Sequence, residues 1–150
     1  MKLTVVNQTS EKLNTKRINK TLGFILNYLK QKRIRQQKLL SLSKEITFVF
    51  LTPLQMQKIN LQFRGKDKPT DVLSFSSAES SVLGELLFCT SMLKKQAKDQ
   101  AHSLELELCY MMIHGILHLL GYDHEVSLKE EKQMFRIQNS CFAHVCHLLS

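Results

Sequence analysis

The sequence predicts an α+β fold: one domain over residues 1–150, with a small mixed β-sheet of about four strands, about five helices and a metal site on a central buried helix. Three observations predict it. Short β-branched or apolar runs recur at Leu3–Val6, Ile46–Leu51, Val72–Phe75 and Val82–Cys89. Apolar residues spaced three or four apart mark helices between and after them. One stretch, Leu108 to Leu120, is apolar almost all round yet carries two histidines four residues apart, His114 and His118.

The elements follow in order. Leu3-Thr-Val-Val6 reads as a first strand. Asn14 or Thr15 caps a helix whose stripe is Ile18, Leu22, Ile25 and Leu29. Its other face is basic, with Lys16, Arg17 and Lys20, and the charge continues through Lys30, Lys32, Arg33, Arg35 and Lys38. That run is either a solvated face or a surface for phosphates. Ile46, Phe48 and Phe50 alternate with Thr47, Val49 and Leu51, the pattern of a strand covered on both sides. Thr52-Pro53-Leu54-Gln55 is a capping box with proline at the first helical position, starting a helix to about Phe63.

A polar segment follows, from Asn60 to Asp71, and leads into the strand Val72–Phe75. Arg64 stands out in it. Its guanidinium is a permanently charged fork that matches two phosphate oxygens, although Asp67 or Asp71 could simply neutralise it. The strands on either side of the turn at Ser77–Ser81 are close enough in sequence to pair antiparallel. Thr90 or Ser91 opens a short helix through Leu93 and Ala97, and Ser103 begins the central one, with Glu105 and Glu107 where the helix dipole favours acids. The last helix starts at a second capping box, Ser127 to Glu130. Its predicted core stripe is Met134, Ile137, Cys141, Phe142, Val145 and Leu148.

Residues 114–124 read His-Gly-Ile-Leu-His-Leu-Leu-Gly-Tyr-Asp-His. On a helix, His114 and His118 lie about 40° apart, one turn above the other. Gly121 can end that helix in a left-handed conformation, and the reversal returns His124 toward the first two. The spacing therefore predicts a cup of His114, His118 and His124 for one ion. Neutral imidazoles favour zinc, and three protein ligands leave a fourth tetrahedral position for water. Zinc proteases share this spacing but place a glutamate, their general base, directly after the first histidine. Here that position is Gly115, which argues against peptide hydrolysis and suggests close packing or substrate approach. The general base is left open between a metal-bound hydroxide acting alone and one assisted by Asp123 orienting His124. His102, His144, Cys146 and His147 lack accompanying ligands and stay outside the site.

The chain carries 21 Lys and Arg against 13 Asp and Glu, a net charge of +8, which points to a polyanionic partner. No run approaches the roughly 20 apolar residues of a membrane span. The opening residues read as a strand and not as a leader, so the expected location is cytoplasmic. Cys89, Cys109, Cys141 and Cys146 show no paired spacing and are expected as free thiols. A thiolate such as Cys109 at the fourth metal position would make the site structural.

These residues also carry a resemblance. His114-Gly-x-Leu-His118-Leu-x-Gly-Tyr-Asp-His124, the arginine-containing segment ending in Thr70-Asp-Val-Leu-Ser-Phe75, and Leu83-Gly-Glu85 together resemble the YbeY family of bacterial ribosomal RNA maturation factors. Phe63, Ser76 and Glu85 depart from it, standing where Tyr, Pro and Asp are frequent. The resemblance implies a zinc-dependent, single-strand-specific endoribonuclease acting on ribosomal RNA of the small subunit. It implies His114, His118 and His124 as metal ligands and Arg64 as the residue acting on the phosphate, with His114 also essential to catalysis. Two rival expectations remain open: a zinc peptidase, and a ribosome-associated binding protein whose metal is structural.

Overall fold

A computed structural model describes all residues, Met1–Ser150. Its elements are β1 (Lys2–Asn7), α1 (Thr15–Lys30), α2 (Gln37–Leu42), β2 (Glu45–Leu51), α3 (Pro53–Arg64), β3 (Val72–Ser76), β4 (Val82–Cys89), α4 (Thr90–Asp99), α5 (Leu104–Leu119) and α6 (Leu128–Leu149). The four strands form one sheet in the order β1-β2-β4-β3. β1 and β4 run parallel to β2, whereas β3 pairs antiparallel with β4 at the sheet edge. The mixed sheet and the β3–β4 pairing are as the sequence predicts.

Five of the six helices match expected ones, because each begins or repeats in a way that side chains announce. Asn14, Thr52, Ser103 and Ser127 accept hydrogen bonds from the first-turn amides of their helices, and the Thr52–Gln55 capping box is complete. The sixth, α2, is the exception. Its N-terminal residue Gln36 is left-handed, makes no side-chain cap, and precedes only six helical residues.

One sheet face meets α1, α2, α5 and α6 through a 27-residue apolar cluster that includes Ile46, Phe48 and Phe50 of β2. The opposite face carries a small cluster of Leu51, Met56, Leu73, Leu87 and Cys89 beneath α3. β2 is thus covered on both sides as predicted, though Thr47 and Val49 are only half-buried. Three expected core positions on α6 differ. Leu148 is exposed near the chain end, and Ile137 and Phe142 are half-buried. All four cysteines are free, and Cys109 is fully buried in the main cluster, away from the histidine cup.

α5 is the axis of the domain: eleven of its sixteen residues are buried, His114 among them. It lies against β4 because residue 115 has no side chain. A Cβ there would stand 2.8 Å from both Leu86 methyl carbons, so helix and strand approach to a distance only glycine permits. Close packing, rather than substrate approach, accounts for Gly115.

Candidate metal centre

The end of α5 builds the cup. Gly121, at φ +93°, reverses the chain. Its amide donates to His118 O and that of Tyr122 to Leu117 O, both at 3.0 Å, the paired bonds of a Schellman ending. The loop so formed carries His124 back beside the helix. The three rings have centroid separations of 4.6 Å (His114–His118), 5.1 Å (His114–His124) and 5.3 Å (His118–His124). Each offers a ring nitrogen within 4.8 Å of the other two. Sequence spacing and structure agree on this trio.

Two details show that a cation fits. His114 Nδ1 lies 3.0 Å from Gln138 Oε1, while Gln138 Nε2 donates to Tyr110 O at 3.3 Å. The amide is therefore oriented with its oxygen toward the imidazole. His114 must donate from Nδ1, which leaves the Nε2 lone pair facing His118 Nε2 at 3.0 Å. His124 Nδ1, in turn, is buried with no hydrogen-bond partner, an arrangement that a bound cation can relieve. Burial lowers the pKa of both helix histidines. His118, also repelled by His114 and His124, is brought to about 4. Neutral imidazole is the form that binds metal, so protons compete weakly for this site.

The trio lies in an open cleft of about 620 Å³ that follows β3, the edge strand, and takes its far wall from the end of α3 and the segment after it. Arg64, Lys66 and Lys68 line it with the three histidines, as do Asp71, Asp123 and Glu125. Arg64 pairs with neither Asp67 nor Asp71. Asp67 accepts from Gln57 and Asp71 from Gln96, whereas Arg64 Nη2 lies 3.6 Å from Glu125 Oε1. Such an exposed pair, with side chains 37% and 58% accessible, holds the guanidinium weakly and leaves it able to exchange Glu125 for a phosphate.

Other expectations are revised. Asp123 does not orient His124; its Oδ1 accepts from the amide of Glu125 at 2.8 Å and shapes the loop. No residue of α1 lines the cleft, whose cations come from 64–68 instead. Gln138 is a site residue outside the motif, with one signal in the sequence: it falls on the buried stripe between Met134 and Cys141, a polar residue among apolar ones.

A mixed sheet with helices packed on it, and three imidazoles sharing an open groove with Arg64 along its edge strand, define a small α+β hydrolase. A family model described as Endoribonuclease YbeY matches residues 4–146, and the chain belongs to that family. It is 42% identical over 142 residues to the Endoribonuclease YbeY of Bdellovibrio bacteriovorus, covering 95% of this chain and 93% of the relative. It is 38% identical over 115 residues to that of Staphylococcus saprophyticus, covering 70% and 74%. The solution structure of a Thermotoga maritima protein superposes with a TM-score of 0.63 at 30% identity, over 96% of this chain and 89% of that one.

Proposed function

We propose that this chain is a zinc-dependent endoribonuclease, a single metallohydrolase domain over residues 1–150 that cuts single-stranded RNA in the maturation and quality control of small-subunit ribosomal RNA in the cytoplasm. The observation that carries this reading is the placing of the three-histidine cup and Arg64 in one open groove. Relatives over most of the chain are named endoribonucleases, which supports the substrate class.

His114, His118 and His124 would hold the zinc, which when bound supplies positive charge for the phosphate and acidifies water. Gln138 keeps His114 in the tautomer whose Nε2 lone pair is free for a metal. Arg64 binds a non-bridging phosphate oxygen and opposes the charge that grows on it as phosphorus becomes five-coordinate. Lys66 and Lys68 hold the neighbouring phosphates along β3. Gly115, turned into Leu86, offers no carboxylate, which leaves the peptidase reading without its general base.

The test measures zinc content and cleavage of single-stranded RNA on the same preparations of wild type, His118→Ala and Arg64→Ala. The expected pattern is loss of zinc and activity in the first, and zinc retained with activity down about 100-fold in the second. Cleavage by His118→Ala at the wild-type rate would refute the proposal. Co-sedimentation with small ribosomal subunits tests the ribosomal assignment.

A further inference from the structure

The positive charge of this chain is not where the chemistry is. The groove holds Arg64, Lys66 and Lys68 against Asp71, Asp123 and Glu125, and is neutral in sum. Residues 1–44 carry eleven Lys and Arg against the single Glu11, a balance of +10, while residues 45–150 carry ten against twelve, a balance of −2. Only two cations of the first part are held by acids elsewhere: Arg17 by Glu105 and Arg35 by Glu130. Lys16, Lys20, Lys30, Lys32, Arg33 and Lys38 are all exposed and make no ion pair.

Folding does not explain this arrangement. α1 contains no acidic residue, and Lys16 stands in its first turn, where the helix dipole disfavours a cation. The buried side of α1 is Ile18, Leu22, Ile25, Leu26 and Leu29, so Lys16, Lys20 and Lys30 fall on the side away from α5 and α6. Aromatic rings are interleaved with these cations. Lys20 Nζ lies 5.9 Å from the Phe24 ring and Lys32 Nζ 4.9 Å from the Tyr28 ring, which itself meets His144 at 5.0 Å.

The surface also joins the histidine loop. After α1 the chain passes Lys32 and Arg33 and is fixed at Arg35, whose amide donates to Tyr122 Oη at 3.0 Å and whose guanidinium donates to Gly121 O at 3.2 Å. The same guanidinium stacks over the Tyr122 ring at 4.9 Å and pairs with Glu130. The basic connection is thus fastened to the two residues that turn the chain toward His124.

We infer that the outer face of α1 and the connection through Arg33 form a second RNA-binding surface, distinct from the groove, that grips the phosphate backbone of the substrate on the far side of the histidine loop. The inference rests on RNA being the substrate. A neutral groove selects and cuts; the charged face supplies affinity for long RNA.

Binding, not cleavage, tests it, so the result stands whether or not the cutting activity does. Fluorescence anisotropy compares wild type with Lys16→Gln/Lys20→Gln/Lys32→Gln and with a control of equal charge loss, Lys58→Gln/Lys95→Gln/Lys98→Gln. All six lysines are exposed, and glutamine keeps helix propensity, so thermal melting should be unchanged. With single-stranded RNA of about thirty nucleotides, the α1 variant is expected to bind at least about tenfold more weakly. Its slope of log affinity against log salt should be shallower by about 2, from three lost phosphate contacts. The control should stay within about threefold of wild type, and a short RNA of about five nucleotides should bind all three proteins alike. An α1 variant that binds the long RNA as wild type does, or a control that weakens equally, would overturn the inference.

Discussion

The Gln138 amide oxygen sits 3.0 Å from His114 Nδ1, and the same amide donates to Tyr110 O, so one buried side chain of α6 fixes the tautomer of a histidine on α5. Gln138→Leu should therefore weaken zinc binding by about 10–100-fold while the fold persists, and Gln138→Glu, which keeps an acceptor, should recover most of it. Competition with a chromophoric chelator measures this. Equal affinity in wild type and Gln138→Leu would show that the hydrogen bond does not prepare the site.

Gly115→Ala sets two effects against each other. Alanine gains about 1 kcal/mol in a helix interior, but the new methyl meets both Leu86 methyl carbons at 2.8 Å. Leu86 is fully buried and its Cγ as well as both methyl carbons crowd the new group, so overpacking, typically about 1–3 kcal/mol, should prevail. The expected net loss is about 1 kcal/mol, read as a lower denaturation midpoint. Adding Leu86→Val should recover part of it. A single variant more stable than wild type would mean that the α5–β4 contact yields easily.

What was legible in the sequence was whatever side chains state locally. His114, His118, Gly121 and His124 encode the cup because helix periodicity and one glycine turn suffice to bring them together. Capping residues and apolar stripes placed five helices. Cross-chain relationships were not legible. Arg64 meets Glu125 across 61 positions of sequence, and Gln138 meets His114 across 24, and neither spacing has a local signature. α2 has no capping side chain to announce it, and Leu148 fits the α6 stripe yet is exposed, Leu149 packing against the core in its place. The basic run is visible in the sequence, but only the fold shows that none of it lines the groove that needs a phosphate ligand.

Proton linkage gives a third prediction. His118 titrates near 4 in the folded, metal-free domain and near 6.5 when unfolded. Between those values the unfolded chain binds the extra proton, so stability falls as pH drops from about 6.5 toward 4 and is insensitive to this group above about 7.5. His114, also lowered, acts in the same direction. Urea melts of chelated protein at pH 7, 6 and 5 should show this decline, and His118→Asn should make it shallower. Parallel pH profiles in the two proteins would mean that His118 is not held neutral by the fold.

Chelation separates an enzyme with a working metal from a scaffold held by one. The 27-residue apolar cluster, with Phe48, Phe50, Phe88 and Leu22 fully enclosed, includes none of the three histidines. A metal at a thousandfold excess over its dissociation constant adds about 4 kcal/mol to stability, or roughly 10 °C in melting temperature for a domain of this size. Exhaustive removal of metal should therefore abolish RNA cleavage and lower the melting temperature by about that amount. Far-ultraviolet dichroism at 25 °C should stay unchanged, and a single cooperative transition should persist. If the chelated protein instead loses its helical signal at 25 °C, the ion is holding the fold together, and the third reading, a binding protein with a structural metal, replaces the nuclease.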